Sequence, residues 1–259
     1  MKLLFIGDVY ARIGRDMLFE YSEKGFFGAD FVIANIENAA HGKGVTKAVF
    51  DELQKTGVDA FTTGNHIWSC KDAVNVLKFN DNIVRPYNFE GDAPGEGIMT
   101  VKAKNGVKVG IINLIGRVGL DFPPSSNPFL AADRAVEKLA DRCDVMFVDF
   151  HAEATSEKVA MGYYLDGRVS AVCGTHTHIQ TADEQILPKG TGYITDCGMT
   201  GPAVSVLGVD KNTIVDYFVT GMPHRFEPAE GKGQISAVMF DIDEKTKKTV
   251  SVERYLIRK

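Results

Sequence analysis

The sequence predicts an α/β fold in which a mixed β-sheet, or two stacked mixed sheets, is covered by helices. Three observations support this prediction. Short apolar segments with β character alternate with amphipathic helical segments in the first part of the chain, as in parallel βα units. Antiparallel hairpin signals enter later. Apolar residues make up 44% and charged residues 24% of the 259 residues, the balance of a globular protein with its own core.

The first part of the chain alternates strands with helices. The strands are predicted at 2–8, 30–35, 59–64 and 82–89, and the helices at 46–58 and 71–79. In the helix that begins near Thr46, the apolar residues Val49, Leu53 and Val58 follow helical spacing. Thr46 is a suitable N-cap because its hydroxyl can accept a hydrogen bond from a backbone N–H of the first turn.

The second part adds hairpins to this pattern. Asn105-Gly106 lies between two β-rich runs over 97–116, and this dipeptide is the strongest short hairpin signal. Further strands are predicted at 144–151, 168–178 and 190–199, with two more around a polar turn within 234–257; helices are predicted at 131–142 and 156–165, and a loop at 123–128. Because no repeat, linker or low-complexity segment interrupts the pattern, we expect a single domain over 1–259.

Charge and cysteine content exclude several classes of protein. The net charge of −5, without a run of one sign, argues against a protein that binds duplex nucleic acid. No segment has the roughly 20 apolar residues of a membrane span, and the apolar run Leu3 to Ile6 is too short for a signal peptide. The four cysteines form no C-x-x-C pair, so we expect reduced thiols and a cytoplasmic location.

Metal-type ligands stand at the ends of the predicted strands. Ligands of open α/β sheets bind beyond the carboxyl ends of the strands, so these residues could converge on one edge. They are carboxylates, amides and imidazoles, which suit borderline or hard divalent ions. The candidates are Asp8, Glu37, Asn38, Asn65, His151, His176 and His178, with His66 beside them.

The number of these candidates favours two ions. Two carboxylates, two asparagines and three histidines give seven ligands, more than one ion needs. With one bridging carboxylate, they suit two ions about 3.5–4 Å apart, which can activate water and neutralise a phosphoryl group. His176 and His178 are expected on one face of a strand, because they are two residues apart.

Each candidate also has a structural interpretation that the sequence leaves open. Asp8 could cap a helix, and Glu37, Asn38 and Asn65 could be turn residues. A single histidine such as His151 is more often a hydrogen-bonded structural residue than a ligand. His66 could be a surface imidazole, and the remaining histidines, 41 and 224, have no metal-type partners and are expected to be structural.

The ordered motifs resemble those of the calcineurin-like metallophosphoesterases, and more closely the YmdB-like family of bacterial metallophosphoesterases. The general motifs are Gly7-Asp8, Gly64-Asn65-His66, the isolated His151 and the run 174–178, GTHTH. The more specific blocks include IENAAHGKGVT, TTGNHIW, INLIGR and YITDCGMTGP, and they extend over essentially the whole chain. The resemblance implies two stacked mixed β-sheets flanked by helices, an αββα sandwich.

The resemblance also implies a role for each candidate. One ion would be held by Asp8, Glu37, Asn38 and His178, and the other by Glu37, Asn65, His151 and His176. Glu37 would bridge the ions, a metal-bridging hydroxide would attack phosphorus, and His66 would act as the general acid. The implied cofactors are two divalent or mixed-valence ions, iron first, with manganese or zinc as alternatives. The implied substrates are 2′,3′-cyclic nucleotides, and the implied assembly is a homo-oligomer.

Two motifs of this chain differ from those of the wider superfamily. Tyr10 stands where the wider superfamily has a histidine ligand, and Glu37-Asn38 stands where many relatives have Gly-Asp. The close family shares both features. In the close family the stretch after Asp8 is usually Gly-rich, so residues 10–12, Tyr-Ala-Arg, leave the conformation of the local loop and the substrate edge open.

The alternative functions are a phosphomonoesterase or phosphoprotein phosphatase, and an RNA-associated regulatory protein with a residual metal site.

Several further residues could touch substrate, although each also has an ordinary structural interpretation. Arg85, Asn88 and Arg117 follow or end strands, but such residues more often form surface ion pairs or satisfy turns. Trp68 and Phe89 could stack on a base, but aromatic residues beside a strand end more often belong to the core.

Overall fold

The structure, a computed structural model, describes residues 1–120 and 122–259. The strands are β1 Lys2–Ile6, β2 Asp8–Val9, β3 Phe31–Asn35, β4 Ala60–Thr62, β5 Ile98–Lys102, β6 Lys108–Ile115, β7 Val145–His151, β8 Ala171–Thr175, β9 Gln185–Ile186, β10 Gly192–Ile194, β11 Met199–Pro202, β12 Gly233–Asp243 and β13 Lys248–Arg258. The helices are α1 Ala11–Glu23, α2 Lys47–Leu53, α3 Ala73–Phe79, α4 Pro128–Leu139, α5 Thr155–Leu165 and α6 Lys211–Thr220, with short 3₁₀ turns at Phe26–Gly28, Gln54–Thr56 and Ile67–Ser69.

The strands form two mixed sheets. The first has the order β2-β11-β12-β1-β3-β4, with β13 added beside β12, and the second has the order β5-β6-β7-β8-β10-β9. In the first sheet, β1, β3 and β4 are parallel to one another, and β12 runs antiparallel to β1. In the second sheet, β6, β7, β8 and β10 are parallel, and β5 and β9 are antiparallel edge strands.

Alternating side chains along each strand divide the core into layers, which confirms the predicted αββα arrangement. Leu3 and Phe5 of β1 belong to an apolar cluster shared by the two sheets, in which the rings of Phe5 and Phe147 are 4.9 Å apart. Leu4 and Ile6 face the other way, toward helices α1 and α2. The outer face of the second sheet packs in the same way against α4 and α5. Because both faces of these strands are covered, their sequences are almost continuously apolar.

Several local predictions are confirmed. Thr46 caps α2, since its hydroxyl accepts a hydrogen bond from the Val49 N–H at 3.3 Å. Strands β5 and β6 form the hairpin predicted around Asn105-Gly106. All four cysteines are free thiols; Cys70 is partly exposed and the other three are buried.

The strand predicted at 82–89 is wrong. Apart from two isolated bridges, Ile83 with Phe61 and Phe89 with Ser125, this segment pairs irregularly: Arg85 N–H donates to Glu96 and Tyr87 N–H donates to Asn113. Pro86 in its middle lacks an N–H, which prevents a regular ladder. Among the described residues, no helix combines the length and apolar character needed to cross a lipid bilayer.

Candidate metal centre

The predicted ligands come together where the parallel strands of both sheets end. Asp8 follows β1, Glu37 and Asn38 follow β3, Asn65 follows β4, His151 ends β7, and His176 and His178 follow β8. Glu37, His151 and His176 each offer a ligand atom within 4.8 Å of the others. Residues far apart in the chain therefore meet in one place because parallel strands bring their carboxyl ends to the same edge.

Glu37 lies at the middle of this group. Its carboxylate is fully buried, with one oxygen 3.3 Å from His151 Nε2 and 3.1 Å from the Asn38 amide, while the other accepts the His66 backbone N–H at 3.0 Å. Burial alone would raise the pKa of Glu37, but the neighbouring His151 and the His66 N–H lower it below its usual range. Glu37 is therefore held as a carboxylate, the form that binds a cation.

Asp8 supplies an unsatisfied oxygen. Its side chain is fully buried, and burial raises its pKa above the ordinary value. One carboxylate oxygen accepts the His176 N–H at 3.2 Å, whereas the other, Oδ1, has no hydrogen-bond partner among the described residues. Leaving a buried carboxylate oxygen unpaired is unfavourable, and a bound cation would satisfy it. Asp8 does not cap a helix, because α1 begins at Ala11 without a side-chain cap.

The orientation of His151 is fixed by a hydrogen-bonded chain beneath it. Its Nδ1 is 2.9 Å from the Thr175 hydroxyl, which in turn donates to the buried Asp149 carboxylate at 2.7 Å. Because that hydroxyl has one proton and gives it to Asp149, it accepts the N–H of His151 Nδ1. Burial opposes a charge on the ring, but the neighbouring carboxylates raise the pKa of His151 to about 9, so Nε2 carries a proton that it donates to Asn65 Oδ1 at 2.9 Å. Nε2 also lies 3.1 Å from His176 Nδ1, and a cation bound there would take the place of the Nε2 proton.

The His176 and His178 pair lies in a loop rather than on a strand, so the expected shared strand face is wrong. Strand β8 ends at Thr175, and both histidines have positive φ, 99° and 65°. This strained backbone is held by hydrogen bonds from Thr177 to Asp196, at 3.1 Å from the N–H and 2.6 Å from the hydroxyl. The left-handed turns aim both rings at the centre.

The two asparagines join different histidines. Asn65 contacts His151, as described above, and Asn38 places its amide 3.1 Å from Nε2 of His178. The Nδ1 atom of His178 is fixed 3.0 Å from the Leu207 carbonyl, so Nε2 is the nitrogen left to face the site. Glu37 and Asn38 lie in a turn, but their side chains are buried toward the centre rather than exposed to solvent.

A cavity of about 300 Å³ opens directly above these ligands. Its lining residues are Tyr10, Glu37, Asn38, Gly42, Lys43, His66, Glu153, His176, Thr177, His178, Leu207 and Val209. His66 is half-buried in this cavity; burial lowers its pKa, and the positive charge of Lys43 acts in the same direction. Lys43 and Glu153 also line the cavity, and nothing in their local sequence indicates a contact with distant residues. The Glu153 carboxylate lies 3.0 Å from His176 Nε2.

Two of the proposed substrate contacts have structural roles instead. The Arg85 guanidinium donates to the carbonyls of Pro86, Tyr87 and Ala93. Asn88 is buried, and its amide donates to the carbonyls of Ile115 and Ser126 at 2.8 and 3.0 Å. Its side-chain oxygen accepts the Ile115 N–H at 2.9 Å, so Asn88 joins backbone segments rather than facing the cavity.

The remaining candidates also lie outside the cavity. Arg117 is exposed and lines a different depression with Glu90. The rings of Trp68 and Phe89 are 5.9 Å apart and pack on the core of the first sheet, as the structural interpretation predicted.

The two stacked mixed sheets, with the candidate ligands where their parallel strands end, define a protein of the calcineurin-like metallophosphoesterase fold. A family model described as YmdB-like protein matches residues 4–255, and the chain belongs to the YmdB-like family. It is 53% identical over 259 residues to a Bacillus subtilis (strain 168) protein named 2′,3′-cyclic-nucleotide 2′-phosphodiesterase, covering 99% of this chain and 97% of that one.

Two solved structures have the same fold over the full length of this chain. A hypothetical protein from Thermus thermophilus has a TM-score of 0.92 at 39% identity, with 100% of this chain and 99% of that chain covered. A protein from Mycoplasma pneumoniae described as a novel phosphatase has a TM-score of 0.92 at 36% identity, with 100% and 93% covered.

Proposed function

We propose that this chain is a metal-dependent phosphodiesterase that hydrolyses 2′,3′-cyclic nucleotides, with residues 1–259 acting as a single domain. The observation that carries the proposal is the position of Glu37, whose buried carboxylate lies between two groups of metal-type ligands. The name and 53% identity of the Bacillus subtilis relative support the choice of substrate.

The contacts support a division of the ligands into two sites. Asn38 contacts Glu37 and His178, whereas His151 contacts Glu37, Asn65 and His176. With Asp8 added to the first group, the sites would be Asp8, Glu37, Asn38 and His178, and Glu37, Asn65, His151 and His176. When bound, two ions would supply positive charge to the phosphoryl group and lower the pKa of a coordinated water. We propose iron as the native metal, with manganese or zinc as substitutes.

His66 is the proposed proton donor. It lines the cavity beside Glu37, and its backbone N–H is bonded to that carboxylate, so the imidazole is held close to the ligands. Hydrolysis of the 2′ bond forms a bond between phosphorus and a water oxygen and breaks the P–O2′ bond. The departing 2′ oxygen takes the His66 proton, and the proton released by the water restores protonated His66. Burial lowers the pKa of His66, which makes its protonated form a stronger donor but leaves a smaller fraction of it protonated at neutral pH.

Site variants combined with a substrate panel test this proposal. We expect Asp8→Ala and Glu37→Gln to lose metal and hydrolysis together, because each removes a buried carboxylate ligand. Asp141→Ala, which alters an exposed carboxylate in the turn before β7, at the opposite end of that strand from His151, is the control and should keep both. Unchanged hydrolysis in the Asp8 and Glu37 variants would overturn the proposed site.

The histidine variant separates proton donation from metal binding. We expect His66→Ala to keep its metal and to slow hydrolysis by roughly 10²–10⁴-fold, the usual contribution of a general acid. Loss of metal in this variant would contradict the assigned role.

The substrate panel should contain 2′,3′-cyclic nucleotides, phosphomonoesters and a phosphoprotein, since a similar structure is described as a phosphatase. Hydrolysis of phosphomonoesters but not of cyclic nucleotides would show that the proposed substrate is wrong. Hydrolysis of none of these compounds would favour an RNA-associated regulatory role. Homo-oligomerisation and a cytoplasmic location remain predictions, the first of which size-exclusion chromatography with light scattering would test.

A further inference from the structure

Lys43 enters the cavity from a loop that is tied to Glu37. The Gly44 N–H donates to the Glu37 carbonyl, the Ala40 N–H donates to the Gly44 carbonyl, and the Lys43 N–H donates to the Ala40 carbonyl at 3.0 Å. These backbone bonds connect the loop directly to the residue at the middle of the candidate metal centre. The origin of the Lys43 side chain is therefore fixed relative to the ligands.

Two glycines fix the path of this loop. Gly42 has φ of 90°, and a Cβ there would lie 2.6 Å from the Tyr10 hydroxyl. Gly44 has φ of 75°, and a Cβ there would lie 2.9 Å from the Cys70 sulfur. Both positions need the left-handed conformation and the absence of a side chain. The loop is packed in one conformation on either side of Lys43, although the lysine itself is exposed.

Lys43 forms no ion pair within the part of the chain that the structure describes. Its ammonium has no carboxylate within 4.0 Å there, in contrast to Lys158, which pairs with Asp196 at 2.6 Å. Among the residues that line the cavity, Lys43 is the one lysine or arginine. A cation on a fixed backbone, facing metal-type ligands without a partner of its own, is suited to an anionic ligand.

We propose that Lys43 binds a non-bridging oxygen of the phosphoryl group that is cleaved. This inference rests on the proposed phosphodiesterase function. Attack on a phosphodiester increases the negative charge on these oxygens, and a positioned lysine stabilises that charge more in the transition state than in the ground state. Lys43 would thus act from the rim opposite the buried ligands.

The test compares Lys43→Met, Lys43→Arg and the control Lys47→Met in the metal-loaded protein. Lys47 is a nearby exposed lysine that pairs with Asp51 on the surface of α2. We expect Lys43→Met to lower kcat/KM for a 2′,3′-cyclic nucleotide by about 10- to 100-fold, the usual effect of losing a hydrogen bond to a charged group. Lys43→Arg should restore most of the loss because it keeps the charge, and all variants should keep their metal.

Binding of inorganic phosphate, measured by calorimetry, provides a second result that does not need turnover. We expect Lys43→Met to weaken phosphate binding and Lys47→Met to leave it unchanged. If wild-type protein binds phosphate through Lys43 but hydrolyses no cyclic nucleotide, the proposed substrate is wrong and the anion site at Lys43 is still supported. Equal kcat/KM and equal phosphate binding in wild type and Lys43→Met, or loss of metal in Lys43→Met, would overturn the inference.

Discussion

Replacing Lys158 by methionine would remove one member of a buried ion pair that supports the histidine loop. Lys158 is 2% exposed and Asp196 is 0% exposed, and their charged atoms are 2.6 Å apart. The same Asp196 oxygen accepts both hydrogen bonds from Thr177, the residue between His176 and His178. The pair therefore connects helix α5 to the strained backbone that orients two predicted ligands.

The expected loss follows from the burial of both charges. After Lys158→Met, Asp196 keeps its hydrogen bonds from Thr177 and Gly198 but loses its only cationic partner among the described residues. Breaking a buried pair from one side typically costs about 3–5 kcal/mol in the free energy of unfolding. The double variant Lys158→Met/Asp196→Asn leaves no unpaired charge and should recover part of that loss.

Urea denaturation of the metal-free proteins measures the stability, and a metal titration of each variant measures the effect on the loop. The control Lys78→Met, at an exposed position of α3, should change stability by no more than about 0.5 kcal/mol. A loss of no more than about 0.5 kcal/mol in Lys158→Met, the range of ordinary surface changes, would refute the reasoning. Unchanged metal affinity would show that the pair does not position the histidines.

Two other predictions concern close packing and thiol exposure. A Cβ at Gly64 would overlap a Glu37 carboxylate oxygen and His151 Nε2, so Gly64→Ala should lower the metal content. The control Gly57→Ala places its Cβ near none of the candidate ligands and should lower stability alone. In the native protein a thiol reagent should label Cys70, because the other three cysteines are buried. Burial raises the pKa of Cys70, so labelling should keep accelerating as the pH rises beyond the ordinary thiol range; labelling of all four thiols in the folded protein would contradict this.

The layered fold could be predicted because its strands are covered on both faces and its turns carry local signals. The apolar runs 3–6, 31–34 and 145–148 have no polar face, as strands between two layers require. The Asn105-Gly106 hairpin and the Thr46 cap depend on neighbouring residues only, so they are visible in the sequence.

The missed elements lack such local signals. Helix α1 follows Tyr10, which provides no side-chain cap, and its first residue Ala11 has φ of 50°, so no start signal precedes it. Helix α6 has no buried residue, so its sequence shows no apolar stripe directed at the core. The wrong strand at 82–89 has strand-like residues on both sides of Pro86, but that proline and the irregular partners of Tyr87 prevent a ladder.

Part of the candidate site could be predicted from the sequence, because it depends on where the predicted strands end. Residues after parallel strands converge by topology, so Glu37 and His151 could be placed together from strand ends alone. The Asp149–Thr175–His151 chain, by contrast, joins two neighbouring strands through side chains. Lys43 reaches the cavity through a loop whose path depends on packing against Tyr10. Such contacts become visible only when the tertiary structure is known.

The central claim is that metal held around Glu37 gives this chain its phosphodiesterase activity. The most direct test is elemental analysis and 2′,3′-cyclic nucleotide hydrolysis measured on the same preparation, purified without added metal, for wild type and Glu37→Gln. We expect wild type to contain two ions per chain and to hydrolyse the substrate, and Glu37→Gln to lose both metal and activity. Full hydrolysis by wild-type protein from which a chelator has removed all metal, or by Glu37→Gln with an unchanged metal content, would contradict the claim.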